Sequence, residues 1–128
     1  MKPQIVSFIP GIIWTMIIFV LLVMPGSDIP SNDFFELIYF DKWVHIGLFS
    51  ILTILWIYPF LGSISRSAGV FVIISLSSIT YGVVMEFIQK YFATNRSFDL
   101  TDILADSIGT CLGLVLIIKF SKQKEIEL

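Results

Sequence analysis

The sequence predicts an all-α integral membrane protein, a bundle of four transmembrane helices with a short interfacial helix between spans one and two. Three observations carry that expectation. Of the 128 residues 56% are hydrophobic and only 14% charged, against roughly 25% charged in an ordinary soluble domain. The mean hydropathy is +0.92. The charges cluster between apolar runs that approach the about 20 residues needed to cross a hydrocarbon core of ~30 Å. Four spans and their loops use nearly the whole length, so residues 1–128 read as a single transmembrane domain with no internal boundary.

The first span is expected over residues 5–24, where an apolar run follows Pro10 and Gly11. Lys2 ahead of an apolar core also fits a secretory signal peptide, but no A-x-A-like cleavage site follows, so the helix reads as retained. Between Pro25 and Phe40 the chain is polar and acidic. There Asp33 and Glu36 resemble an N-terminal cap ahead of Phe34, Leu37, Ile38 and Tyr39, a short helix lying in the membrane interface. The second span, residues 43–61, holds His45 and ends near Pro59. The third, residues 68–89, is uncharged until Glu86 and carries Ser75, Ser77, Ser78, Thr80 and Gly82, the small or hydroxylated residues that let membrane helices approach closely. The fourth, residues 101–119, is long enough only if it takes Asp102 and Asp106 into the membrane. Ala105, Gly109 and Gly113, four apart, give it a flat face for a neighbouring helix.

The charge pattern narrows the function classes. A net charge of −2 without a run of Lys or Arg argues against a nucleic-acid partner, which demands clustered cations. Cys111 is the only cysteine, so no internal disulfide forms, and it reads as a small packed side chain. Lys and Arg accumulate on the cytoplasmic side of membrane proteins. With both ends inside, that side holds five cations (Lys2, Arg66, Lys119, Lys122, Lys124) and the outside three (Lys42, Lys90, Arg96), so both termini are expected in the cytoplasm.

That topology brings the start of span two, the end of span three and the start of span four to the outer face, where the unusual polar residues lie. Asp41 and His45 share a helix face; so do Glu86 and Gln89, and Asp99, Asp102 and Asp106 form one stripe. A charge near the bilayer centre costs roughly 2.5–3.5 kcal/mol on insertion scales, so Glu86 and Asp106 should face the bundle interior. Lys42 and Arg96 add positive charge.

Asp41-Lys42-Trp43-Val44-His45, then Gly82 with Glu86-Phe87-Ile88-Gln89, then Arg96-Ser97-Phe98-Asp99 and Asp102-Ile103-Leu104-Ala105 running into Gly109 and Gly113, resemble the VanZ-like pattern over about Asp41 to Gly113. The resemblance implies a small multi-spanning protein of the bacterial cell envelope, in the cytoplasmic membrane, whose namesake is linked to resistance to the glycopeptide antibiotic teicoplanin. Asp106 departs from the pattern, which usually has Asn there, and so adds a carboxyl group within the membrane.

The residues themselves leave three functional readings open. In the first, a non-catalytic binder takes a lipid-linked cell-wall intermediate or a glycopeptide-like ligand at the outer face. Its site comprises Asp41, Lys42, His45, Glu86, Gln89, Arg96, Asp99, Asp102 and Asp106, with the Arg96 fork and the Lys42 point charge suited to a phosphate. In the second, a membrane enzyme uses Glu86 and His45, an imidazole beside Asp41, as an acid/base pair on a phosphate or acyl group, with or without a divalent ion. In the third, the cluster only locks three helix ends together, with Glu86 fixed by Arg96 or Lys42, or Arg96 paired with Asp99 or Asp102. Carboxylates can hold Mg²⁺ or Ca²⁺, but a lone histidine without clustered cysteines argues against zinc, and neither a metal nor another cofactor is expected. No G-x-S-x-G turn, phosphate-cradling loop or dinucleotide fingerprint occurs. Membrane lipid is the expected surrounding partner, the oligomeric state is open, and Asn95-Arg96-Ser97 is a sequon only in a eukaryotic secretory pathway. A transporter is disfavoured because four spans lack the paired broken helices of an inverted-repeat carrier, although a dimer could provide them.

Overall fold

Pro10 sets the first helix. Lacking an N–H, it suits the first turn, and helix α1 (Ile9–Val23) begins one residue before it, behind a 3₁₀ turn over Ile5–Phe8. The computed structural model describes residues 2–26, 32–62 and 68–127, the side chain of Phe35 excepted. Residues 27–31 of the acidic loop and Arg66, one of the cations expected in the cytoplasm, lie outside the described residues.

Among the described residues, four helical stretches are long and apolar enough to cross a membrane: Ile5–Val23, Phe40–Phe60, Ala68–Phe92 and Leu100–Ile126. The short helix α2 (Asp33–Leu37) precedes the second of them, as expected, with Asp33 as its first residue rather than its cap. Helix α3 (Phe40–Ile57) starts three residues before the expected Trp43, after Tyr39 in the left-handed conformation (φ 53°), so Asp41 and Lys42 belong to its first turn. Pro59 converts its end into a 3₁₀ turn, Tyr58–Phe60. Helix α4 (Ala68–Phe92) and helix α5 (Leu100–Ile126) both run beyond the expected ends.

Helices α3 and α5 form the most extensive contact, and the expected small-residue face of α5 makes it. A Cβ at Gly109 would run into the backbone of Ile46, and one at Gly113 into the backbone of Ser50. Hydrogen on both glycines is what lets the two backbones touch. Ala105 is buried in the same stripe. Cys111, by contrast, is exposed and not packed. Two residues rotate a helix by roughly 200°, which turns Cys111 away from the face of Gly109 and Gly113.

Helix α1 is held by side chains that reach across to backbone or hydroxyl oxygens. Trp14 Nε1 donates to the carbonyl of Leu48 (2.9 Å), Trp56 Nε1 to Thr15 Oγ1 (3.1 Å) and the Tyr81 hydroxyl to the carbonyl of Thr15 (2.9 Å). Such bonds hold membrane helices together where apolar surface alone gives no preference for helix over lipid. Ile18, Leu22, Leu48, Phe49, Leu52 and Met85 form the apolar core between α1, α3 and α4. The outward faces carry Ile13, Phe19, Trp43, Ile73, Leu104 and Leu116, all exposed, as a lipid-facing surface requires.

Candidate functional site

The polar residues gather where α3 and α5 begin and α4 ends. Asp99 positions the start of α5: its backbone is extended (φ −132°), and Oδ1 accepts from the Thr101 amide (2.8 Å) and hydroxyl (2.6 Å). This is an N-cap, which satisfies amides that the first helical turn leaves free. Asp99 Oδ2 accepts from Lys42 Nζ at 2.8 Å. The Lys42 ammonium, followed by Thr101, holds the Asp99 carboxyl at about 2.

Lys42 links the two helix starts. Its Nζ lies 3.0 Å from Asp41 Oδ2 and 2.8 Å from Asp99 Oδ2, and it donates to Asp102 Oδ1 in a still closer contact. Three carboxylates therefore share one ammonium, which leaves Lys42 little attraction for a further anion.

One turn deeper on α3, His45 is 3% exposed. Its Nδ1 lies 2.7 Å from Asp106 Oδ1, and its Nε2 3.7 Å from Asp102 Oδ2. The expected pairing of His45 with Asp41 does not occur. Asp41 sits in the first turn of α3, exposed and bound to Lys42, whereas the imidazole turns into the α3–α5 interface.

Glu86, 0% exposed, is bound neither to Arg96 nor to Lys42. Its Oε2 accepts the backbone N–H of Asp99 at 3.0 Å, and its Oε1 is buried without a hydrogen-bond partner among the described residues. Asp106 Oδ2 is likewise buried and unpartnered, facing Gly82, where an added Cβ would come within 2.6 Å of it.

Gln89 and Arg96 turn to helix α1 instead. Gln89 Nε2 donates to the carbonyl of Leu22 at 2.8 Å, and Arg96 Nε to the carbonyl of Met24 at 3.3 Å. Among the described residues Arg96 makes no ion pair, so the expected alternative of an Arg96 bridge to Asp99 or Asp102 is absent. Burial pulls its guanidinium below the ordinary arginine value. The amide of Gly26 donates to the carbonyl of Thr94 (2.9 Å), which draws the end of α1 over the same loop.

The geometry thus brings together Lys42, His45, Glu86, Asp99, Asp102 and Asp106, leaves Asp41 on the rim, and engages Gln89 and Arg96 with helix α1. Sequence reasoning missed Thr110, fully buried with an unpartnered hydroxyl. It lies four residues after Asp106, and extending the stripe of Asp99, Asp102 and Asp106 by one turn would have found it. A separate cleft of about 310 Å³, lined by Thr15, Leu52, Trp56, Ile74, Ser77, Ser78 and Tyr81, contains none of these site residues.

Comparison with known proteins places the chain in a family. A protein of the fission yeast Schizosaccharomyces pombe, described only as uncharacterized, is 32% identical over 100 residues. The match covers 78% of this chain and 55% of the relative, so the chain spans about half the length of the curated relative it matches. No solved structure matches significantly. The model of the family described as VanZ/LLP1 matches residues 7–121, from before α1 to near the end of α5. The chain belongs to the VanZ/LLP1 family.

Proposed function

We propose that this membrane bundle binds the polar head of a membrane-borne ligand, a lipid-linked intermediate or a glycopeptide-like molecule, at the cluster formed by the starts of α3 and α5 and the end of α4. The observation that carries the reading is the pair of buried, unpartnered oxygens, Glu86 Oε1 and Asp106 Oδ2. Each unsatisfied buried acceptor costs about 1–3 kcal/mol, a cost that locking helices together does not call for. A ligand that brings donors or positive charge removes that cost. The Arg96 fork, which makes no ion pair among the described residues, suits a phosphate at the rim.

The distribution of Lys and Arg supports an outward-facing cluster with both termini in the cytoplasm, and thus a ligand that arrives from the outer leaflet. In a bacterial cytoplasmic membrane, capture of a wall intermediate or of a glycopeptide would contribute to glycopeptide resistance.

Native mass spectrometry of the detergent-purified protein tests the reading. Wild type should carry a lipid phosphate or glycopeptide that Arg96→Ala loses while remaining folded. No bound species, with Arg96→Ala and Glu86→Gln both melting early, would assign the cluster to architecture and the function to protein partners.

The contact of His45 Nδ1 with Asp106 favours a second reading, a membrane enzyme acting on a phosphate or acyl group. A carboxylate that orients an imidazole is how a general base is held in place, and Glu86 lies across the same interior. In that case Glu86→Gln abolishes turnover of the bound species while binding persists.

A further inference from the structure

The geometry points to a divalent-cation site formed by His45, Glu86 and Asp102, of a kind that takes Zn²⁺ or Mn²⁺. Three helices supply one donor each: α3 the imidazole, α4 and α5 a carboxylate oxygen. All three residues are buried, and the three donor atoms lie within 4.8 Å of one another. Such a spacing lets them converge on one ion at bond lengths of about 2.0–2.2 Å after small side-chain adjustments.

The surrounding contacts prepare each donor for that task. Donation of the His45 Nδ1 proton to Asp106 leaves the lone pair on Nε2, the nitrogen nearer Asp102 Oδ2. A carboxylate behind a metal-binding imidazole fixes the tautomer and raises the basicity of the ligand nitrogen. Lys42 occupies Asp102 Oδ1 and leaves Oδ2 free for an ion. The Asp99 amide occupies Glu86 Oε2 and leaves Oε1 buried, with no hydrogen-bond partner among the described residues. One side chain after another thus commits one polar atom to the protein and keeps a second for the interior.

The charge balance has the same sign. Counted at formal charges, five carboxyl groups (Asp41, Glu86, Asp99, Asp102, Asp106) stand against Lys42 and Arg96, three more acidic than basic groups. Within a membrane bundle that excess is expensive, and a divalent cation offsets most of it. The mixed nitrogen and oxygen set selects Zn²⁺ or Mn²⁺ over Ca²⁺ and Mg²⁺, which prefer oxygen alone. Three protein ligands leave a coordination position open, where a phosphate or carboxylate of the ligand head can bind. The inference therefore deepens the proposed function and rests on reading the cluster as a binding site rather than a closed lock.

The test uses the full chain, purified in detergent without an oligohistidine tag, stripped with a chelator and titrated with Mn²⁺ or Zn²⁺ alone. The expected result is saturable uptake of one ion per chain, with imidazole nitrogen coupled to Mn²⁺ in pulsed paramagnetic resonance. His45 is the only histidine, so that coupling identifies it even if no variant folds. Glu86→Gln and Asp102→Asn should abolish saturable uptake, and Asp106→Asn should weaken it roughly 10- to 100-fold. A folded wild type that takes up neither ion, or uptake without nitrogen coupling, overturns the site, as does unchanged affinity in folded Glu86→Gln and Asp102→Asn. Metal uptake by a chain that retains no lipid phosphate or glycopeptide would keep the site and remove the ligand reading; a head group held by a metal-free chain would do the reverse.

Discussion

His45 and Asp106 stand 61 residues apart in the chain, yet Nδ1 of one lies 2.7 Å from Oδ1 of the other inside the α3–α5 interface. Asp106 is 1% exposed. Its second oxygen has no partner, so the carboxylate is under-satisfied where it is most enclosed. Asn at this position keeps an acceptor for the imidazole and sheds the charge. Asp106→Asn should therefore fold with a thermal midpoint at or above that of wild type in detergent. Asp106→Ala, which strands the His45 proton, should lose about 1–3 kcal/mol. A midpoint of Asp106→Asn well below that of Asp106→Ala would mean that the charge itself holds the interface.

Glycines on α3 and α5 that look alike in sequence should respond oppositely to alanine. A Cβ at Gly109 or Gly113 meets the backbone of α3, which cannot step aside. Gly109→Ala and Gly113→Ala should each cost about 1–3 kcal/mol by overpacking. Gly47 has nothing within 4 Å of the added carbon. There alanine only improves helix propensity, a gain of roughly 0.5–1 kcal/mol. Thermal melts of the three variants in one detergent check the contrast, and equal losses at all three positions would contradict the α3–α5 contact.

Gln89 should behave as a tether rather than as part of a ligand site. Its side-chain amide is committed to the Leu22 carbonyl near the end of α1. Gln89→Leu should leave ligand or metal retention within twofold of wild type while loosening α1, read as faster proteolysis in the segment after Val23. Loss of the bound species without faster proteolysis would return Gln89 to the site.

The three-residue and four-residue spacings made much of this legible. The four-residue spacing predicted the flat face of α5 that Gly109 and Gly113 provide. The cost of a charge near the bilayer centre predicted that Glu86 and Asp106 face the interior, and both do. Partnerships between helices were less legible. Periodicity along α3 offered His45 only Asp41, because a single helix carries no information about which neighbour crosses it. The partners of Gln89 and Arg96 are the carbonyls of Leu22 and Met24, and a backbone oxygen leaves no trace in a sequence. Cys111 was read as packed because its neighbours are apolar, but in a membrane an apolar neighbourhood describes the lipid-facing side as well as the core.

Lys42 supplies the sharpest test of how the cluster is held. It is shared by Asp41, Asp99 and Asp102, and its side chain is 20% exposed against 10% for that of Asp102. Replacing the ammonium alone, as in Lys42→Met, leaves Asp102 charged in a site closed to water, a change that costs about 3–5 kcal/mol for a fully buried pair and less here. Replacing Asp102 alone, as in Asp102→Asn, leaves the ammonium two other carboxylates and should cost less. The double variant removes the stranded charge, so its loss should fall below the sum of the two single losses by roughly 0.5–3 kcal/mol, the coupling expected of groups in contact. Chemical or thermal denaturation of the four proteins in one detergent measures it. Additive losses would mean that Asp99 and Asp41 hold Lys42 without Asp102, and that the start of α3 is bound to the cap of α5 rather than to its interior face.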